Sequence, residues 1–90
     1  VRETVMEGNS FVVRDDGASV AEITFVPSGD TYIIDHTYVS EALRGQKIAE
    51  DLVKRVVEHA RENHKMIVPA CSYALAQFKR RKEYQDIWKR

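Results

Sequence analysis

Between Val39 and Ala49 the chain reads Val39-Ser40-Glu41-Ala42-Leu43-Arg44-Gly45-Gln46-Lys47-Ile48-Ala49. This stretch joins a strand-like segment to the start of a long helical pattern. A helix N-terminus exposes unpaired backbone N–H groups and the positive end of its dipole, so it takes phosphate oxygens readily. Gly45 has no Cβ and lets the backbone come close to such a ligand. Arg44 and Lys47 add positive charge, and an arginine can grip a phosphate with two parallel hydrogen bonds. The same residues would equally serve a glycine-assisted turn with solvated charges, and the types alone leave both readings open.

Other reactive groups lie outside this loop. Cys71 is the one cysteine, so an intramolecular disulfide is excluded and a reducing, cytoplasmic setting is expected. It follows a short apolar run and precedes a second helical segment, a location that favours the reactive thiolate. A small buried hydrophobe is the other common use of a free cysteine. His36 lies on the strand leading into the loop and is the leading candidate for a base, with Asp35 a weaker one on the strand's other face. Beside Thr37 and Tyr38, His36 also suits a structural hydrogen bond. His59 and His64 fall near the end of the long helical pattern, where solvent exposure is expected. Tyr73 and Tyr84 are alternative proton donors that no spacing argument separates. Lys79-Arg80-Arg81-Lys82 circles a helix instead of lining one face and reads as a solvated helix end. Nucleic-acid binding is a weaker reading of that run, because no recognised motif accompanies it.

The elements that must position these groups follow from periodicity. Phe11-Val12-Val13 is a short strand ended by the turn signal Asp15-Asp16-Gly17. Ala18 to Val26 alternates, with Ala21, Ile23 and Phe25 on one side, and Pro27-Ser28-Gly29-Asp30 closes it as a turn. Thr31 to Val39 is a third strand, whose strict alternation places Tyr32, Ile34, His36 and Tyr38 on one face. From Gln46 to Asn63 the apolar residues Ile48, Ala49, Leu52, Val53, Val56, Val57 and Ala60 form an unbroken helical stripe. Met66-Ile67-Val68, with Pro69 at its end, reads as a buried strand. The long crossover makes it parallel to the third strand. A second helix is predicted over Tyr73–Lys82, and Glu83 to Trp88 closes the chain as a short strand or irregular segment.

Ninety residues suit a single domain over 1–90 with a thin core. Net charge is zero, but residues 1–43 carry two basic against eight acidic side chains and residues 44–90 twelve against six. That asymmetry points the second half toward an anion, or simply lets the two halves neutralise each other. No apolar run is long enough to span a bilayer, no signal pattern is present, and no membrane partner is expected. The chain begins at Val1 instead of methionine, as a trimmed N-terminus would.

Arg44-Gly45-Gln46-Lys47-Ile48-Ala49 after a strand ending at Val39 resembles the Q/R-x-x-G-x-G/A acetyl-CoA motif of the GNAT superfamily. Arg44 and Ala49 match its first and last positions, whereas Lys47 stands where that family usually has glycine. Ile34 to Val39, the helix ending Glu58-His59-Ala60-Arg61, and Pro69-Ala70-Cys71-Ser72-Tyr73 extend the likeness to small, minimal GNAT-type proteins over roughly residues 11–88. Those proteins lack the helices usually found between the first two strands. The resemblance implies an α/β (mixed-sheet α+β) fold, an antiparallel meander joined to one parallel β-α-β crossover. It implies acetyl-CoA, or CoA, as co-substrate and no metal.

The cofactor contacts so implied are Tyr38, Val39, Arg44, Gly45, Gln46, Lys47, Ile48 and Ala49, with Ser72 just before the second helix and Phe78 on it. The family's N-x-x-A-x-x-x-Y pattern, whose tyrosine protonates the leaving thiolate, meets Cys71, Ala74 and Phe78 here, so the usual acid is missing. Cys71 is the substitute and His36 the base, as catalytic candidates. The basic run could also contact the 3′-phosphate of CoA. The expected activity is an acetyltransferase (acyltransferase) reaction on an unidentified primary amine in one ternary complex. The alternatives are a CoA-binding module or sensor with little transferase activity and, more weakly, a nucleic-acid-binding module. A homodimer could complete the acceptor side.

Overall fold

The computed structural model describes residues 2–89. Four antiparallel strands come first: β1 (Arg2–Glu7), β2 (Ser10–Asp15), β3 (Ala18–Ser28) and β4 (Thr31–Val39). A 3-10 turn (Glu41–Leu43) leads to helix α1 (Ile48–Glu62), then β5 (Met66–Pro69), helix α2 (Ser72–Arg80) and a second 3-10 turn (Lys82–Tyr84). The sheet order is β1-β2-β3-β4-β5, and β5 runs parallel to β4. The expected meander and β-α-β crossover are thus present, in a mixed α+β fold.

One strand more is found than periodicity predicts. β1 pairs with β2 along its whole length, from Arg2 opposite Asp15 to Glu7 opposite Ser10. It is an edge strand with no fully buried residue, so no apolar alternation marks it. The hairpin between β2 and β3 turns at Asp16 and Gly17, both with positive φ (51° and 84°), as a tight hairpin turn requires. β3 continues to Ser28, two residues past the expected end.

The third strand's faces also differ from strict alternation. Thr24 pairs with His36 but Phe25 pairs with Ile34, leaving Asp35 as an extra residue on β4. Ile23 and Phe25 share the buried side of β3, so their partners Thr37 and Ile34 share a side of β4 as well. Past the bulge, Thr37 and Val39 therefore follow Tyr32 and Ile34 onto the helix-covered side. His36 and Tyr38 turn to the open one, where Tyr38 is 46% exposed.

α1 lays Leu52, Val53, Val56, Val57 and Ala60 against Ala21, Ile23, Phe25, Ile34 and Ile67. Each fully buried aliphatic side chain contributes about 1.5–3 kcal/mol relative to exposure. α2 adds Ala74 and Phe78 to the same core. His59 is a correction to the solvent-facing expectation. It continues the Leu52–Val56 stripe and stacks on Tyr32 at 5.5 Å, with Phe25 and Phe11 at 5.7 and 5.9 Å. Asn63 ends the helix as its C-cap, and His64 follows with φ 56°. The last segment closes the sheet beyond β5, where Ile67 N–H donates to Ile87 O (2.7 Å) and Lys89 N–H to Ile67 O (2.9 Å). Among the described residues no helix is long and apolar enough to cross a membrane.

Tyr84 packs against Phe78 with ring centroids 5.2 Å apart. Burial, the largest cause, pushes its phenol above the ordinary value near 10, with nearby Arg81 opposing. The fold therefore prefers the neutral phenol. That contribution is complete below the unfolded pKa and is lost as pH rises through the raised one. Tyr84→Phe is expected to change stability little at neutral pH and to flatten the alkaline decline. Urea midpoints at about pH 8 and about pH 11 check this.

Candidate functional site

β4 and β5 stay paired only from Thr31–Met66 to Ile34–Pro69. Pro69 brings no ladder donor, and the next two amides, Ala70 (2.9 Å) and Cys71 (3.0 Å), both donate to Ile34 O. The chain then departs into α2. Among the described residues Asp35 to Val39 have no strand neighbour on that side, so the two strands fork. At the fork Thr37 Oγ1 lies 3.3 Å from Cys71 Sγ. Cys71 is also the N-cap of α2, its sulfur accepting from Ala74 N–H at 3.4 Å.

A cleft of about 420 Å³ runs from the fork to the start of α1. Thr37 and Val39 form its strand side, and Arg44, Gly45, Lys47, Ile48 and Ala49 its loop side; Leu43, Glu50 and Tyr73 complete the lining. The first helical bond of α1 is Asp51 N–H to Lys47 O (3.1 Å), and the N-cap residue, Lys47, makes no side-chain capping bond. The amides of Ile48, Ala49 and Glu50 precede that bond, so α1 leaves them for another acceptor. Gly45 has φ 88°, and nothing lies within 4 Å of where a Cβ would stand. Here the glycine gives both the backbone conformation and an open approach. An uncapped helix N-terminus, two cations and a free strand edge in one cleft fit a long ligand carrying both phosphates and amides.

Of the residues singled out from sequence, Val39, Arg44, Gly45, Lys47, Ile48 and Ala49 come together around this cleft. Gln46 turns aside and accepts from Arg2 Nη1 at 3.2 Å. Tyr38 and His36 lie on the open side of the sheet. Ser72 is exposed at the first position of α2. Phe78 is fully buried between Tyr84 and Trp88, away from the cleft. The reason is helical phase: on α2 the core-facing residues are Ala74, Gln77 and Phe78, whereas Tyr73 reaches the cleft. Gln77, only 4% exposed, donates from Nε2 to the Tyr73 hydroxyl at 3.2 Å. Burial first, and the charge of Glu50 second, raise the Tyr73 phenol above its ordinary value. Sequence spacing did not separate Tyr73 from Tyr84; the distinguishing signal is that Tyr84 lies beyond the end of α2.

Glu50 was not singled out from sequence. Its Oε1 accepts from Arg80 Nη2 (2.7 Å) and its Oε2 from Arg81 Nη2 (3.0 Å), so the basic run closes back on the start of α1. A glutamate in a first helical turn is ordinary, and nothing local marks a partner about 30 residues away.

Lys47 holds φ 61°, a left-handed conformation that costs a residue bearing a Cβ roughly 1–2 kcal/mol. That geometry explains why a glycine suits this position. Lys47→Gly is expected to raise stability by about 0.5–1 kcal/mol, since relieved strain exceeds glycine's added unfolded-state entropy. It should also weaken phosphate-ligand binding about threefold to tenfold by removing a cation. Thermal unfolding and calorimetric titration check the two opposite signs.

Comparison with known proteins shows the family and the fold. The family model described as GCN5-related N-acetyl-transferase matches residues 10–87. The chain is similar to the solution structure of a Staphylococcus aureus protein assigned as a GCN5-like N-acetyltransferase. Identity is 38% and the TM-score 0.82, covering 97% of this chain and 87% of that one. Longer proteins share the fold at lower identity. The ribosomal-protein-S18-alanine N-acetyltransferase from Escherichia coli is 11% identical with TM-score 0.66, over 83% of this chain and 53% of its own. The IAA acetyltransferase from Bacillus cereus is 19% identical with TM-score 0.62, over 79% and 51%. This chain thus spans about half the length of those two enzymes. No curated protein sequence matches significantly. By its family-wide match and its 38% identical relative, the chain belongs to the GCN5-related N-acetyltransferase family.

Proposed function

We propose that the protein binds acetyl-CoA and transfers its acetyl group to a primary amine within one ternary complex. The observation that carries this reading is the uncapped N-terminus of α1 opening on a cleft that ends at the β4–β5 fork. In the proposed complex, the amides of Ile48, Ala49 and Glu50, with Arg44 and Lys47, hold the diphosphate of the co-substrate. The free edge of β4 from Asp35 to Val39 hydrogen-bonds the amides of the pantetheine arm. The thioester then reaches the fork beside Thr37 and Cys71.

There the acceptor nitrogen forms the new C–N bond as the C–S bond breaks. In this reading Cys71 gives its thiol proton to the departing sulfur, and the Ala74 N–H that bonds its sulfur at 3.4 Å supports the resulting thiolate. His36 lies on the open side of the sheet, next to Thr37, and would take the proton from an amine arriving through the fork from that side. Cys71→Ala is expected to lower the turnover number tenfold to a hundredfold with little change in acetyl-CoA affinity. Steady-state thiol release with an amine panel checks this, and undiminished turnover removes Cys71 from the mechanism.

The second reading is a CoA-binding module with little transferase activity, favoured by the burial of Phe78 where the family places its tyrosine acid. Calorimetric titration with acetyl-CoA and CoA, followed by thiol release over the amine panel, separates the two. Binding with turnover supports the enzyme, binding without turnover supports the module, and no binding overturns both.

A further inference from the structure

The cleft holds one acidic side chain, Glu50, beside two cations, Arg44 and Lys47. A carboxylate in such a place repels an anionic ligand unless its charge is taken up. Arg80 and Arg81 take it up: two guanidinium groups converge on the two oxygens of one carboxylate, at 2.7 and 3.0 Å. The carboxylate side chain is 21% exposed, against 63% and 40% for the two arginines. Paired guanidinium groups on a shared anion are the arrangement that recognises phosphate. Here the protein's own carboxylate occupies it. Glu50 also borders a second groove of about 560 Å³, lined by Lys54, Arg61 and Arg81 together with Asp51, Glu58 and Glu83. A ligand longer than the cleft would pass Glu50 to enter that groove.

We infer that Arg80 and Arg81 form a second phosphate site, which Glu50 fills in the free protein and vacates when a phosphomonoester arrives. The inference rests on the proposed coenzyme A reading for its natural ligand, whose 3′-phosphate is the phosphomonoester in reach once the diphosphate sits on α1. The displaced carboxylate turns to Lys54, one helical turn on and bordering the second groove, so its charge stays taken up. Glu50 thereby sets how strongly the 3′-phosphate is read, because its carboxylate competes for the same two guanidinium groups.

Calorimetric titration of adenosine 3′,5′-bisphosphate, CoA and dephospho-CoA into wild type, Glu50→Gln and Arg80→Gln/Arg81→Gln tests this. Glu50→Gln is expected to bind the bisphosphate and CoA about tenfold more tightly, while dephospho-CoA changes less than about twofold. The double arginine variant should bind CoA no better than dephospho-CoA. A purely bracing ion pair predicts the reverse for Glu50→Gln, weaker binding of every ligand, and that result overturns the inference. So does an arginine variant that still prefers CoA over dephospho-CoA, which decides the matter even where Glu50→Gln is too unstable to titrate. Bisphosphate binding that tightens in Glu50→Gln, with no CoA binding to any variant, leaves this site standing and removes the coenzyme A reading. Absence of bisphosphate binding to wild type and to Glu50→Gln at millimolar concentration removes the site.

Discussion

Replacing Ala49 by glutamate is expected to leave the protein folded and to weaken acetyl-CoA binding at least about 100-fold. The two effects have opposite signs for one physical reason. Ala49 is the second residue of α1, in the turn whose free amides carry the positive end of the helix dipole. A carboxylate there is favourable to the isolated fold by about 0.3–1 kcal/mol, and glutamate is a good helix former. Ala49 also lines the cleft, so the same carboxylate would stand where the phosphates of the ligand must go. Like charges in contact cost several kcal/mol, and about 2.7 kcal/mol already corresponds to 100-fold. A melting temperature at or above wild type, together with lost binding in calorimetry, is the expected pair of results.

Phe25→Ala is expected to destabilise the fold by about 3–5 kcal/mol, a large share of the roughly 5–15 kcal/mol that holds a domain together. Phe25 is 2% exposed, and its ring lies 4.9 Å from Tyr32, 5.7 Å from His59 and 6.2 Å from Phe11. Removing it leaves a cavity at the meeting of β2, β3, β4 and α1, which three stiff rings cannot close. Phe25 is also the residue on β3 just beyond the Asp35 bulge, so its packing holds the register that turns Thr37 toward the cleft. Urea denaturation measures the loss, and acetyl-CoA affinity should fall with it wherever the bulge relaxes. A loss below about 1 kcal/mol would mean that the neighbouring rings collapse into the space.

What could be read from the sequence was the part governed by local periodicity. The apolar stripe from Ile48 to Ala60 required a helix, while the loop before it left an anion site and a glycine-assisted turn both open. The start itself falls at Ile48, two residues after the Gln46 expected from the sequence, because Lys47 adopts a left-handed conformation instead of the first helical turn. Other features depend on partners distant in the chain. The bulge at Asp35 arises from the register between β3 and β4, and it reverses the face on which Thr37 and His36 would otherwise lie. β1 buries too little for alternation to appear. His59 joins the core only because β2, β3 and β4 bring three aromatic rings beneath it. The clasp from Glu50 to Arg80 and Arg81 exists only once α2 has folded back along α1.

Titration of the isotopically labelled protein with acetyl-CoA, followed through its backbone amide resonances, tests the central claim most directly. The largest shifts are expected at Lys47 to Glu50, where the helix amides would meet the diphosphate, and along Thr37 to Val39 on the free edge of β4. Saturating acetyl-CoA that shifts neither stretch, or shifts only residues of β1 and β2, would contradict it.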